Sequence, residues 1–164
     1  MNLQETAKAL RKKTVSSVEL VNDSLRRIAV LDPKLKAFIT VTGELAESQA
    51  RQADQDLGDG KDHGPLHGIP VAVKDVFCTQ AVRTTCGSKL FAEHLPEYDA
   101  AVVERLKAAG AIIVGKTNMH ELAYGVTSAN PHFGTVRNPW DLDRIAGGSS
   151  GGSGSAVAAG MVPM

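Results

Sequence analysis

The sequence lacks the features that mark several large classes of protein. Its 18 basic residues (Lys and Arg) balance 18 acidic residues, so the formal net charge at pH 7 is zero. Proteins that bind nucleic acid usually carry an excess of basic residues, and we therefore expect no direct contact with nucleic acid. The chain also has no apolar run of the roughly 18 residues that span a membrane, and its first residues, MNLQE, are unlike a secretory signal. We predict a cytoplasmic protein without membrane contact.

Cysteine is scarce, and histidine is not grouped. The two cysteines, Cys78 and Cys86, are too few for a disulfide framework, so we expect reduced and partly buried thiols. The five histidines are scattered, and His63 and His67 fall in a glycine-containing loop instead of on a helix, so we expect no metal site. The hydrophobic fraction of 43% and the charged fraction of 22% are ordinary for a globular domain.

The first part of the chain has the apolar pattern of helices. A capping box begins at Ser16, apolar residues follow at helical spacing, and Asp32-Pro33 is expected to end this helix. Residues 35–42 are rich in β-branched side chains and predict a short strand, and residues 44–57 predict a further helix. We treat residues 1–60 as an N-terminal helical region.

Residues 61–164 have the pattern of an α/β core. The apolar runs 69–74 and 111–114 have the length and composition of buried strands, and residues 100–109 between them predict a helix with Asp99 as its N-cap. A strand, a helix and a second strand of this kind form a right-handed parallel crossover. The predicted fold class is therefore α/β.

Lys74 is the first candidate for catalysis, because it directly follows the apolar run 69–73. Burial lowers the pKa of a lysine from its usual value of about 10.4, and a neutral amine can take a proton from a serine hydroxyl. The alternative is structural: Lys74 pairs with the adjacent Asp75 or extends to solvent. The strand alone leaves both interpretations open.

The second candidate is the segment GGSSGGSG at 147–154. It fits a flexible linker, the phosphate-binding loop of a nucleotide-binding module, or a catalytic loop that aims serine hydroxyls and amide groups into a cleft. A nucleotide loop would normally end in Gly-Lys-Ser/Thr, which is missing here. The catalytic loop fits best, although a glycine-rich composition alone is weak support.

The two candidate segments together carry a family resemblance. GIPVAVKD around Lys74 and AGGSSGGSG around Ser149 resemble the paired signatures of the amidase signature family. Similar stretches lie between and around them in the same order, namely VRTTCGS at 82–88, GKTNMHELAYG at 115–125 and VRNPW at 136–140. The similarity covers nearly the whole chain, and it implies part of the amidase signature fold, a mixed sheet flanked by helices.

The resemblance implies a hydrolase that acts on linear carbon–nitrogen amide bonds. Family members cleave carboxamides with a Ser–Ser–Lys triad through an acyl-enzyme, and no metal or organic cofactor is implied. By this resemblance Lys74 is the general base, and Ser149 is the serine that bridges the base and the nucleophile. The implied substrate is a small-molecule amide.

The resemblance also assigns supporting positions. Gly147, Gly148 and Ser150 match the glycine loop, in which the bond between Gly148 and Ser149 corresponds to a cis peptide bond of the family. Ala123 and Gly125 are candidates for substrate binding by their position, and Ser149 is a third.

The nucleophilic serine of the family has no match in this sequence. In the family it lies in a segment further along than Met164, and that segment also supplies the oxyanion-hole amides; Ser153 and Ser155 are too close to Ser149 to replace it. We therefore expect the 164 residues to be a truncated part of one larger domain and to be inactive alone. An exposed core edge would favour self-association or pairing with a partner subunit.

Three functions stay open at this point. Residues 118–134, NMHELAYGVTSANPHFG, are similar to general amidases, and we expect simple amide hydrolysis. The glutaminase subunit of the Glu-tRNA(Gln)/Asp-tRNA(Asn) amidotransferase shares RTTC and NPWDLDR, but it tends to carry an acidic residue in place of His120. The third possibility is a non-catalytic fragment that binds a partner.

Overall fold

The computed structural model describes residues 2–164. The helices are α1 (Leu3–Arg11), α2 (Ser17–Leu35), α3 (Gly43–Gly58), α4 (Ala101–Ala108) and α5 (Gly151–Ala158), and 3-10 turns cover Lys89–Phe91 and Glu121–Ala123. The strands are β1 (Phe38–Val41), β2 (Pro70–Lys74), β3 (Ile112–Thr117), β4 (Ala129–Asn130), β5 (Gly134–Thr135), β6 (Arg137–Asn138) and β7 (Asp141–Ile145).

The central sheet has three strands in the order β1-β3-β2. β2 runs parallel to β3, and α4 connects them, which confirms the predicted parallel crossover. β1 pairs with β3 in the antiparallel direction, so the sheet is mixed. All six residues of β3 are buried, because β3 lies between the other two strands and has helices on its faces.

One face of the sheet packs against α2, α3 and α5. α2 presents Val21, Ile28 and Leu35, which lie seven residues apart and therefore on one stripe of the helix. α3 contributes only small buried side chains to this core, those of Ala46, Ala50 and Ala53. The opposite face carries Val71, Val73 and Ile113 and is covered by α1 and α4 through Leu10 and Val103.

Two predicted helix boundaries are wrong, and each has a local cause. Asp32-Pro33 does not end α2, because a proline in the last turn of a helix removes only one backbone N–H. In addition, the Asp32 carboxylate accepts hydrogen bonds from the backbone N–H groups of Ala37 and Phe38, which follow the helix. Asp99 does not cap α4. Its carboxylate instead accepts from the N–H of Gln80 and from Lys107, and the N-cap residue is Ala100.

The two sequence regions share one core. β1, which comes from residues 1–60, pairs with β3 of residues 61–164, and α2 and α3 cover the same sheet. Cys78 and Cys86 are free and half-buried, which confirms the expected thiols. Among residues 2–164, no helix combines the length and the apolar character that a membrane span requires.

The start of α5 depends on the absence of a side chain at Gly152. Its backbone N–H donates to the carbonyl oxygen of Asn118 at 2.9 Å, so the helix enters directly above the end of β3. A Cβ atom at Gly152 would lie within 2.5 Å of the carbonyl oxygens of Asn118 and Ala37. Gly154, in the same helix, is exposed and has no neighbour within 4 Å of the corresponding position.

This difference predicts opposite effects of the same substitution at two glycines of one helix. Gly152→Ala should lower the free energy of unfolding by about 2–3 kcal/mol, because the new methyl group meets rigid backbone. Gly154→Ala should raise it by about 0.5–1 kcal/mol, because alanine favours helix over glycine. Urea denaturation of both variants measures the two changes, and equal effects at the two positions would contradict the described packing.

Candidate active site

Lys74 and Ser149 meet at the carboxyl end of the parallel strands. Lys74 is the last residue of β2, and Ser149 lies in the loop just before α5. The Lys74 Nζ donates a hydrogen bond to the Ser149 Oγ at 2.7 Å. Both residues are half-buried, so their polar atoms stay accessible from one side. The structure therefore brings together two residues that are 75 positions apart in the sequence.

The surroundings of Lys74 shift its protonation equilibrium toward the neutral form. Burial lowers the pKa of Lys74 from the ordinary lysine value of 10.5, and no carboxylate within residues 2–164 forms a salt bridge with it. The neighbouring Asp75 points elsewhere and accepts from the backbone N–H of Thr85 at 2.8 Å and from its hydroxyl at 2.5 Å. The structural alternative, in which Lys74 pairs with Asp75, is thus not the arrangement observed.

Asp75 faces a second lysine, Lys116, in the interior. Both side chains are fully buried. The Lys116 Nζ and the Asp75 Oδ1 are 3.2 Å apart and form an ion pair, but their geometry is not that of a hydrogen bond. Lys116 donates instead to the carbonyl of Phe77 at 2.9 Å and to the hydroxyl of Thr84 at 2.6 Å. Burial lowers the pKa of Lys116, and the negative charge of Asp75 opposes that shift. This pair anchors the chain immediately after Lys74.

The pair of Asp75 and Lys116 was not predicted from the sequence. A signal existed, because Lys116 follows the apolar run 111–114 after a single glycine, much as Lys74 follows the run 69–73. The sequence did not indicate which of the two lysines would face the interior. The parallel register decides this, since it places Val73 opposite Lys116 and Lys74 opposite Thr117.

The loop around Ser149 is held by backbone contacts. The peptide bond between Gly148 and Ser149 is cis, and this is the bond that the resemblance singled out. The N–H of His120 donates to the carbonyl oxygen of Ser149 at 3.1 Å. Gly148 packs so closely on Ser128 that a Cβ atom would come within 2.8 Å of its backbone nitrogen. Gly147 has a positive φ of 80°, which a side chain would disfavour.

The other serines of the cluster face different partners. Ser153 shares a hydrogen bond of 2.8 Å with the hydroxyl of Thr117, and Ser155 donates to the carbonyl of Arg137 at 2.9 Å. Ser150 is exposed. Within residues 2–164, the hydroxyl of Ser149 has Lys74 as its side-chain hydrogen-bond partner and no second serine.

Ala123 and Gly125 lie in a turn next to the Ser149 loop. Leu122 and Ala123 have positive φ angles of 53° and 59°, so the chain reverses sharply after His120. A Cβ atom at Gly125 would overlap the imidazole ring of His120. The two predicted binding positions therefore connect to Ser149 through His120, whose backbone N–H reaches the Ser149 carbonyl.

Two buried asparagines position these loops, and no separate role was predicted for them from the sequence. The side-chain amide of Asn118 donates to the carbonyls of Lys36 and Gly134 at 2.9 Å and 3.0 Å. The side-chain amide of Asn130 donates to the carbonyls of Gly87 and Met119 at 2.7 Å and 3.0 Å. Each asparagine joins segments that are distant in the chain, so it fixes where the site loops cross.

Comparison with known sequences places these features in a family. The model of the Amidase family matches residues 19–164. A Glutamyl-tRNA(Gln) amidotransferase subunit from Coxiella burnetii is 52% identical over 161 residues, which cover 98% of this chain and 33% of that protein. The protein of the same name from Pseudomonas aeruginosa is 51% identical over 163 residues, with 99% and 34% covered. The chain thus spans about a third of the length of these relatives.

Solved structures share the fold. A structure from a vestigial protein complex, described as revealing the origins of an s-triazine catabolic enzyme, superposes with a TM-score of 0.95 at 42% identity, over 99% of this chain and 36% of that chain. The peptide amidase of Stenotrophomonas maltophilia gives 0.91 at 34% identity, with 99% and 34% covered. The Glutamyl-tRNA(Gln) amidotransferase subunit from Thermotoga maritima gives 0.78 at 38%, with 99% and 32% covered.

These findings agree with the α/β architecture and with the two signature segments that meet at the carboxyl end of the sheet. The match of the family model extends over most of the chain and includes both Lys74 and Ser149. The chain belongs to the amidase family.

Proposed function

We propose that this chain supplies the general base and the bridging serine of a Ser–Ser–Lys system that hydrolyses carboxamides. The observation that carries the proposal is the hydrogen bond of 2.7 Å between the Lys74 Nζ and the Ser149 Oγ. A serine hydroxyl can donate one hydrogen bond and accept another at the same time. When Lys74 is neutral, the Ser149 hydroxyl donates to its amine across the same contact while the Ser149 oxygen accepts from a nucleophilic serine, so a proton can pass from that serine to Lys74.

The environment of Lys74 supports its role as the base. A base must be unprotonated in part of the population near neutral pH, and burial lowers the pKa of Lys74 in that direction. Once protonated, the ammonium can return the proton through Ser149 to the amine that leaves. Catalysis by this route splits amide cleavage into formation and hydrolysis of an acyl-enzyme.

The route needs a third residue that these 164 residues do not supply. Ser153 and Ser155 are occupied with Thr117 and Arg137, and neither contacts Ser149 through its side chain. We therefore propose that the chain alone does not hydrolyse amides. Within the complete system, Gly147, Gly148 and Ser150 would shape the loop around Ser149.

The substrate is proposed to be a small-molecule amide, with Ala123 and Gly125 lining its site. Their support is positional, because the turn that contains them contacts the Ser149 loop through the backbone of His120. A cytoplasmic location stays a prediction, and so does the alternative of a non-catalytic fragment that binds a partner.

The second candidate function is that of a glutaminase subunit of an amidotransferase. A specific observation favours it: curated relatives with 51% and 52% identity are named as subunits of the Glutamyl-tRNA(Gln) amidotransferase. In that case a partner subunit is part of the functional assembly. Two observations disfavour it. Such subunits tend to carry an acidic residue in place of His120, and the amidase structures give higher TM-scores than the amidotransferase subunit from Thermotoga maritima.

The first prediction of this proposal concerns activity. The 164-residue chain should release no ammonia from glutamine or from simple amides. A chimeric protein that joins it to the remaining two thirds of the Pseudomonas aeruginosa relative should release ammonia, because the missing nucleophile and oxyanion hole are then present. Lys74→Ala and Ser149→Ala should each reduce this rate by several orders of magnitude, since the triad acts as a unit.

The substrates distinguish the two candidate functions. The chain is therefore also joined to the corresponding part of the Stenotrophomonas maltophilia peptide amidase. Preference for glutamine in both chimeric proteins would favour the glutaminase function, and preference for simple amides in both would favour a free amidase. The control variant Ser153→Ala should keep most of the activity, because this hydroxyl faces Thr117. Ammonia release by the 164-residue chain itself, lost in the Ser153→Ala or Ser155→Ala variant, would overturn the proposed assignment.

The second prediction concerns the titration of Lys74. Because burial lowers its pKa in the folded state, the unfolded chain binds more protons at this residue between that lowered pKa and 10.5. The contribution of Lys74 to stability therefore becomes more favourable as the pH rises through this window. The free energy of unfolding of the wild type, minus that of Lys74→Met, should increase from neutral pH to pH 10.5.

Urea denaturation at several pH values measures this difference. The matched control is Lys89→Met, which removes an exposed lysine away from Ser149, so that an effect specific to Lys74→Met is distinguished from the general loss of one lysine. A difference for Lys74→Met that is constant or falls with pH would show that the folded state does not disfavour the charged amine.

A further inference from the structure

A second cluster of polar side chains lies at the opposite end of β2 from Lys74. Asp56 comes from the last turn of α3, and His63 and His67 come from the loop between α3 and β2. One ligand atom of each residue lies within 4.8 Å of the others. Lys74 is four residues beyond the first residue of β2, which is a distance of about 13 Å along a strand. The cluster is therefore separate from the candidate active site.

His67 is held in a fixed position. Its side chain is 3% exposed, and its ring packs on Gly110 so closely that a Cβ atom there would lie 2.6 Å from it. The backbone N–H of His63 donates to the His67 Nδ1 at 3.2 Å. This hydrogen bond indicates that Nδ1 carries the free lone pair of the neutral ring. Burial lowers the pKa of His67.

Asp56 and His63 supply the other two ligands of the cluster. The Oδ1 atom of Asp56 accepts from the amide of Gln52 at 3.1 Å, whereas its Oδ2 atom accepts no hydrogen bond within residues 2–164. That Oδ2 atom lies 3.9 Å from the Nε2 of His63. The His63 side chain is 51% exposed, so its ring can rotate without disturbing the core.

Two imidazoles and a carboxylate are a ligand set typical of zinc. Zinc bonds to these atoms are about 2.0–2.2 Å long, so tetrahedral ligand atoms lie about 3.5 Å apart. The three ligand atoms lie within 4.8 Å of one another, so a rotation of the exposed His63 ring together with a small shift of the Asp56 carboxylate would bring them to this separation. The metal would take the Nδ1 lone pair of His67 and displace the long hydrogen bond there. A second carboxylate, that of Asp62, lies 3.6 Å from the same nitrogen, and its charge is paired with Arg11 at 2.9 Å.

We propose that Asp56, His63 and His67 bind one zinc ion and that water takes the fourth ligand position. The ion ties the end of α3 to the loop that enters β2. A cavity of about 250 Å³ lies against the three residues, and Lys107 and Ile112 also line it. The sequence-based expectation of no metal site rested on the absence of a helix around His63 and His67. The loop brings the two rings to a centroid distance of 4.6 Å without a helix, and the third ligand comes from α3.

Calorimetric titration of the purified chain with zinc chloride tests the proposal. We expect one ion per chain, and at least tenfold weaker binding in the variants His63→Gln and Asp56→Asn, because each removes one ligand. The matched control His94→Gln, at an exposed histidine outside the cluster, should bind zinc as the wild type does. Zinc at 100 times its Kd should raise the melting temperature of the wild type by about 5 °C or more.

A further control excludes the two thiols. The double variant Cys78→Ser/Cys86→Ser should bind zinc as the wild type does, and cobalt in place of zinc should show no thiolate charge-transfer absorption. His63 is exposed, so His63→Gln without zinc should melt at the wild-type temperature. The proposal is overturned when the wild type binds no zinc, when both ligand variants bind it normally, or when binding is lost with the thiols.

Discussion

The parallel pairing of β2 with β3 is the constraint on which the candidate site depends. Because both strands run in the same direction, their carboxyl ends meet at one edge of the sheet, where loops can converge. The register places Lys74 opposite Thr117 at that edge. Thr117 contacts Ser153 of α5, and the following Asn118 accepts from Gly152. The loop that carries Ser149 is thereby fixed above Lys74.

The interior below this edge holds charge as well as apolar side chains. Lys116 and Asp75 are buried side by side, and each makes further hydrogen bonds that offset the loss of water. Removal of one partner would leave an unpaired buried charge, which destabilises proteins strongly. The pair therefore ties the two strand ends together and leaves Lys74, the neighbour of Asp75, free to face Ser149. The two lysines near adjacent strand ends therefore differ in their contacts: Lys116 faces Asp75 in the interior, and Lys74 faces Ser149.

The local sequence pattern predicted elements better than it predicted their ends. Hydrophobic periodicity and a capping box located α2, α3 and both parallel strands, since these signals act within a few residues. The predicted end of α2 at Pro33 was wrong, because the Asp32 carboxylate binds backbone groups that follow the helix. Asp99 was wrongly predicted as a cap, because Gln80 and Lys107 compete for the same carboxylate. Both errors reflect side-chain contacts that residue type alone does not specify.

The sequence by itself determined the α/β class, the placement of Lys74 at the end of a buried strand and the glycine loop that contains Ser149. These properties follow from composition, periodicity and contiguous motifs. Only the tertiary structure decided that Lys116, and not Lys74, faces Asp75, that Asn118 and Asn130 fix the site loops, and that Asp56 meets two histidines. Such contacts join residues that are distant in the chain, and they are set by strand register and helix packing, which no local pattern encodes.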